Sequence, residues 1–489
     1  MDESSHIAPS KPKYAWREVP RCAPPKAPAA ERVTNFSEIY ELYDEATVRE
    51  QASRCIQCPD PLCRTGCPLG NRITEWLGLV ADGRFLEAAE ISQSTSNMPE
   101  LCSRVCPQDR LCEGACILNS HSVPVSIGAI ERFINEYAFT HGGVDTAQAV
   151  PNGFKAAVIG SGPGGLACAD ELVKRGYAVT IFEMQDLPGG LLMNGIPAFK
   201  LEKSLVLRRV EVLRQRGVEF RMGVTVGQDV SLQELLARYD AVFLGVGAQK
   251  SKPLDVAGAD LAGVFPALPF LVEKNVDAPP PGPPIDVAGK RVAVLGGGDT
   301  AMDCLRTALR CGAREAICLY RRDLENMPGS RKEYVNATEE GAKFEFLTAP
   351  VAVLGDDQGR VTTVRCIRMA LGEPDANGRR RPKPVKGSEY DVPADIVLVA
   401  YGFDPVPFPK ESDFSRLAVN NWGALEVDSN LMTSVPGVFS GGDAVLGPSL
   451  VVHAVRDGRK AAAEIHRYLS AKAHELDHVS EGKNAVANV

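Results

Sequence analysis

Eight of the fourteen cysteines in this 489-residue chain fall between Cys55 and Cys116. They form two runs, Cys55-x2-Cys58-x4-Cys63-x3-Cys67 and Cys102-x3-Cys106-x5-Cys112-x3-Cys116. A four-iron cluster takes four thiolates, so eight predict two 4Fe–4S clusters. Cys67-Pro68 and Cys106-Pro107 match the Cys-Pro pair of two-cluster runs, in which the last cysteine of a run ligates the other cluster. The alternative is two structural zinc sites. Zinc ribbons use paired C-x-x-C knuckles, and only one such pair occurs here. The other six, Cys22, Cys168, Cys304, Cys311, Cys318 and Cys366, are scattered and expected to be small buried apolar side chains.

A second chemistry begins at residue 156. A β-branched run leads into Gly160-Ser161-Gly162-Pro163-Gly164-Gly165, and residues 166–175 read as a helix. This is G-x-G-x-x-G between strand and helix. Gly160 permits the tight turn, Gly162 lets a pyrophosphate approach the backbone, and Gly165 lets helix and strand pack closely. The next strand ends in Glu183, about where a ribose-binding acid belongs.

The design recurs from 291 as Gly296-Gly297-Gly298-Asp299-Thr300-Ala301, with a helix expected over 300–309. Here the following strand, 316–320, ends in Arg321-Arg322. Arginine accommodates a 2′-phosphate that an acid would repel. The simplest assignment is FAD at the first turn and NADPH at the second. Two nucleotide folds in one chain resemble the flavin disulfide-reductase superfamily. That resemblance implies that Gly442-Asp443 places an acid on the flavin ribityl chain. It also implies that the helix after it, expected over 444–463, points its positive end at the flavin. No C-x-x-C or C-x-x-x-x-C follows residue 150, so electrons must leave the flavin by another route. Clusters carry single electrons and NADPH gives a hydride; flavin converts between them. No catalytic side chain is needed, and His453 is expected to be packed or solvated.

The elements around these residues differ in texture. Residues 1–150 are Cys- and Pro-rich, with helical spacing over 86–91 and 127–137. From 155 onward short buried strands, 156–159, 178–182, 241–244 and 291–295, alternate with helices. This α/β pattern predicts parallel sheets covered on both faces. A linker of five prolines and a glycine spans 277–286. The expected division is a helical iron–sulfur domain (1–150), an FAD part (151–285), an inserted NADPH domain (286–404), and a second FAD part with a tail (405–489). The net charge of −8 argues against nucleic acid. No apolar run of about eighteen residues exists for a membrane span. Residues 1–28 lack an apolar leader core, so the cytoplasm is the expected location. In that compartment crowded cysteines mean metal rather than disulfides.

Together these motifs resemble the small (beta) subunit of bacterial NADPH-dependent glutamate synthase. The resemblance runs over residues 34–469. It rests on Gly66-Cys67-Pro68-Leu69-Gly70-Asn71, Arg104-Val105-Cys106-Pro107, Cys112-Glu113-Gly114-Ala115-Cys116, Pro188-Gly189-Gly190-Leu191-Leu192, the octapeptide from Gly195 to Glu202, Tyr320-Arg321-Arg322 and Gly441-Gly442-Asp443-Ala444. It implies one cluster on Cys55, Cys58, Cys63 and Cys116, and another on Cys67, Cys102, Cys106 and Cys112. It adds Pro163, Gly164, Gly190 and Leu191 to the FAD site. It also implies a partner, a large subunit with FMN that makes glutamate from glutamine and 2-oxoglutarate. The chain itself is not expected to hydrolyse glutamine. The span from Cys106 to Cys112 is similar to that of NADPH:ferredoxin oxidoreductase large subunits and of dihydropyrimidine dehydrogenase. Those resemblances imply a ferredoxin or a small flavoprotein subunit as the alternative acceptor.

Overall fold

The computed structural model describes residues 14–276, 282–374 and 380–486, with side chains to 473. Half of the proline-rich linker, 277–281, lies outside them.

The cysteine-bearing region is built from α1 (Glu45–Ser53), α2 (Ile73–Ala81), α3 (Phe85–Thr95), α4 (Pro99–Val105) and α5 (Ile127–Thr140). Asp44 starts α1 by accepting a hydrogen bond from Thr47 N at 2.7 Å. Apolar residues at helical spacing put Trp76, Val80, Ala88, Ile130 and Ile134 into one core, which also takes in Cys55 and Cys63. Buried Arg54 donates to the carbonyls of Val19, Val123 and Pro124, closing the layer where no regular ladder exists.

The chain then lays down β1 (Lys155–Ile159), α6 (Pro163–Val173), β2 (Ala178–Phe182), α7 (Leu191–Asn194), α8 (Lys203–Gln215), β3 (Glu219–Arg221) and β4 (Ala241–Leu244). It crosses at β5 (Lys250–Ser251) into β6 (Val264–Pro266), α9 (Ala267–Asn275), β7 (Arg291–Leu295), α10 (Asp299–Arg310), β8 (Glu315–Tyr320), α11 (Arg331–Glu339) and β9 (Lys343–Phe346). Next come β10 (Thr348–Gly355), β11 (Val361–Pro374), β12 (Arg380–Pro393) and β13 (Ile396–Val399). It returns at β14 (Phe403–Asp404) to β15 (Val438–Ser440) and α12 (Val451–Val486). The first sheet has order β15-β4-β1-β2-β3 and the second β6-β13-β7-β8-β9, all pairs parallel. Strands β4 and β13 are buried throughout, as parallel strands covered on both faces must be. The antiparallel β10–β12 sheet covers one face of the second sheet through Val353, Val364 and Cys366; α9 and α10 cover the other.

Three expectations shift. The second sheet draws on β6 and α9, which precede residue 286, because the crossover is the β5–β14 pair and not the proline linker. The helix expected over 444–463 is one turn, Asp443–Leu446, then a break. Gly447 there has φ +75° and Pro448 has no N–H to donate, so α12 restarts at Val451. Helices α6 and α10 begin at Pro163 and Asp299, earlier than expected, because Gly162 and Gly298 already serve as N-caps.

Candidate functional site

At the first glycine turn Gly160 has φ +91°, and a Cβ there would lie 2.6 Å from Gly245 O. A Cβ on Gly165 would lie 1.9 Å from Gly160 O, so only glycine lets α6 approach β1. Gly162 faces open space, with nothing within 4 Å of a Cβ position. Bare backbone and the first N–H groups of α6 are thus free to meet an anion. Glu183 is buried at the end of β2 and accepts from Ser161 N at 2.8 Å and Ser161 Oγ at 2.6 Å. Gly189 N donates to the same Oγ at 2.9 Å, and a Cβ on Gly190 would lie 3.0 Å from Gly162 Cα. The loop ending at Leu191 therefore closes over the turn.

The late Gly-Gly-Asp reaches the same place. Gly442 has φ +65°, and its N–H donates to Asp457 Oδ2 at 3.0 Å. Asp443 accepts from Ser449 N at 3.1 Å; burial, with the charge of Asp457 adding to it, pushes its carboxyl up to about 7. Helix α12 crosses α6 so closely that a Cβ on Gly458 would lie 2.2 Å from Gly164 O. Ser161, Asp457 and Gly458 were missed in the sequence. The only signal for the last two was an acid and a glycine inside a helical stretch, where propensity disfavours both. His453 Nδ1 is 2.7 Å from Ser449 Oγ.

At the second turn Gly296 has φ +139°, and a Cβ would lie 2.3 Å from Ala400 O. Gly298 faces open space, Thr300 is half-buried and Ala301 fully buried. Asp299 caps its neighbour instead of standing free: its Oδ1 accepts from Ser330 N at 2.9 Å, and Gly329 N donates to Gly297 O at 2.8 Å. The arginine pair splits. Arg321 is exposed, whereas Arg322 is buried with an Nε that has no hydrogen-bond partner. Arg322 follows β8, the strand paired with β7 whose end forms this turn, and an orphaned guanidinium N–H fits an anionic substituent.

All fourteen cysteines are free, and the eight of the cassette gather in two foursomes. Cys55, Cys58, Cys63 and Cys116 lie near enough to act on one another electrostatically. Cys67, Cys102, Cys106 and Cys112 line one hollow. Gly66 makes the meeting of the runs possible, since its Cβ would fall 2.5 Å from Ala115 Cβ. Burial, reinforced by neighbouring thiols, pushes Cys55 and Cys63 up to about 12; burial pushes Cys67 up to about 11. Crowded buried thiolates need a cationic centre. Among the described residues no three His, Cys, Asp or Glu side chains close on a single point as the ligands of one ion do. Four thiols around one hollow are the donor set of a four-iron cluster, in which each thiolate takes its own iron. The hollow is also lined by Glu131, unforeseen in the sequence, and by Val452 in the first turn of α12. Burial pushes the Glu131 carboxyl up to about 7. Cys22, expected to be buried, is exposed, because its backbone holds the contacts: N–H to Gln51 and C=O to Tyr43.

Comparison with known proteins follows this division. Residues 32–143 match the family described as dihydropyrimidine dehydrogenase domain II, 4Fe-4S cluster. Residues 154–458 match pyridine nucleotide-disulphide oxidoreductase. The chain is 46% identical over 468 residues to the glutamate synthase [NADPH] small chain of Escherichia coli, covering 93% of this chain and 98% of that one. It is 46% identical to the putative oxidoreductase AegA of the same organism, covering 92% of this chain and 70% of that one. Its fold is similar to that of Mycobacterium tuberculosis FprA in complex with NADPH, with TM-score 0.56 and 22% identity over 68% of this chain and 89% of that one.

Proposed function

The chain belongs to the family of NADPH-dependent glutamate synthase small chains, and from that premise we propose that it is the electron-input subunit of such an enzyme. In this reading it oxidises NADPH at FAD and passes electrons through two 4Fe–4S clusters to a large subunit carrying FMN. That partner forms L-glutamate from L-glutamine and 2-oxoglutarate. The observation that carries the reading is the place of the second cysteine foursome. Its hollow reaches Val452, at the end of α12 that faces the first glycine turn, so the metal-binding domain adjoins the flavin site.

The chain's own residues bind and orient. Gly160, Gly162, Pro163, Gly164 and Gly165 offer backbone and helix end to the FAD pyrophosphate, and Glu183 faces its ribose. Gly190, Leu191, Gly442 and Asp443 hold the ring and ribityl side. Gly296, Gly298, Thr300 and Ala301 do the same for NADPH; Asp299 shapes the turn through Ser330, and Arg322 takes the 2′-phosphate. FAD, when bound, accepts electrons as a pair with a hydride and releases them singly. No side-chain acid or base is required. Cys55, Cys58, Cys63 and Cys116 form one ligand set, and Cys67, Cys102, Cys106 and Cys112 the other. No helix among the described residues is long and apolar enough to cross a membrane.

A second reading, with a ferredoxin or a small flavoprotein subunit as acceptor, draws on the equal identity to AegA. Reconstitution with the large subunit separates the two. Anaerobic protein should contain about eight irons. FAD-loaded Cys55→Ala or Cys102→Ala should keep NADPH-to-dye activity and lose glutamate formation. Normal glutamate formation by folded variants would remove the clusters from the path.

A further inference from the structure

A cavity of about 460 Å³ lies where the cysteine domain and the two nucleotide units meet. None of the cassette cysteines or of the residues assigned to FAD or NADPH lines it. The cysteine domain contributes Arg132, the first unit Phe199 and Lys200, and the second unit Arg306 and Lys332.

Most charges here are already paired. Arg104 and Arg132 share Glu38 at 2.8 and 2.7 Å, and Lys200 meets Asp303 at 2.8 Å. Lys332 is different. Among the described residues it has no ion pair and no hydrogen bond; its ammonium lies over the Tyr40 ring, 4.3 Å from the centroid. Burial lowers its pKa, and the charges of Arg132 and Lys200 lower it further, against Glu333 and Glu113. Arg132 Nε is buried without a partner. Arg132 and Lys332 thus face one space, which Glu38, Glu41, Asp109, Glu113 and Glu333 also line, and the Lys332 ammonium and the Arg132 Nε–H stand there unanswered among the described residues. A charge drawn out of bulk water without a counter-ion is costly, and an anion between Lys332 and Arg132 relieves that cost. The volume is that of a metabolite site, and Ile39 and Phe199 supply an apolar wall.

We propose that this cavity binds a small organic anion bearing carboxylate or phosphate groups, held between Lys332 and Arg132. Its walls come from all three parts of the molecule, so occupancy pins them together.

The test uses holoprotein saturated with NADP⁺, which keeps probes out of the dinucleotide site. Citrate serves as the carboxylate probe and pyrophosphate as the phosphate probe, each titrated by calorimetry. At least one should bind saturably, and the pattern of one or both identifies the group recognised. Lys332→Met, with flavin and iron content unchanged, should weaken that binding at least about tenfold. Lys332→Arg should retain it. Ala129→Leu, which narrows the cavity and leaves every cation in place, should weaken it as well. Failure of both probes to saturate overturns the proposal. So does wild-type affinity in both Lys332→Met and Ala129→Leu.

Discussion

Arg321 and Arg322 are adjacent at the end of β8 yet meet different surroundings, one in solvent and one buried with an unanswered Nε. A charge-assisted hydrogen bond is worth about 1.5–3 kcal/mol, roughly 10- to 100-fold in affinity. Arg322→Ala should therefore raise the NADPH KM by about that factor and the NADH KM far less; Arg321→Ala should do less to either. Steady-state kinetics with both nucleotides checks this, and equal effects on the two remove the 2′-phosphate role. Glu340 shows another residue-level balance. Burial pushes its carboxyl up, but the guanidinium groups of Arg306 and Arg310 overcome this and hold it at about 2. Its folded-state pKa lies below the ordinary 4.5. Its stabilisation is therefore full above that value and is lost as pH falls towards 2. Glu340→Gln should cost on the order of 3 kcal/mol in urea denaturation at neutral pH, because it takes the carboxylate from buried Arg310 and one of the two from buried Arg306. The deficit should shrink towards acid, and a pH-independent deficit contradicts the assignment.

The contact of α12 with α6 is the element-level device on which the proposed flavin site depends. Gly458→Val should drive α12 away from Gly164 and release FAD, leaving the second turn able to bind NADP⁺. Flavin absorbance after gel filtration and a nucleotide titration measure the two separately; full flavin retention would show that the crossing is dispensable. Both glycine turns were legible in the sequence because their determinants are local: a β-branched run, a required positive φ and a helix start within a dozen residues. The two cysteine runs were legible by spacing, and their division into foursomes was implied by the resemblance. Residues supplied across long separations were not. Nothing near Glu131 shows that it faces a hollow, and Lys200 finds Asp303 only after two sheets have formed. The crossover was missed because β5 and β14 have two residues each, too few to carry periodicity, whereas a proline cluster stands out.

At the scale of the whole molecule the three parts are bolted together. Buried Arg209 on α8 grips Glu100 on α4 through two bonds of 2.7 Å. Arg32 reaches Glu340 at 2.8 Å and Lys200 reaches Asp303 at 2.8 Å. Arg110, in the loop between Cys106 and Cys112, donates to the carbonyl of Gly329, whose N–H holds the second glycine turn. Such pairs, buried and across interfaces, favour one relative arrangement, as a fixed electron path requires.

The first sheet is finished only by β15, after the whole second unit has been made. On the ribosome, the nascent chain therefore displays its first glycine turn long before Gly442, Asp443 and α12 exist to complete the pocket. The cysteine domain can fold early, since domains generally fold as units during synthesis. If the proposed site takes flavin, its capture has to wait for the last stretch of translation. A transcript stopped at codon 430 should yield a product that keeps β1–β4 and the second sheet but emerges colourless in the flavin band. Arrested nascent chains released before and after residue 470, assayed for flavin fluorescence, would time the event. Flavin bound by the shorter chain would mean that the late strand is not needed for capture.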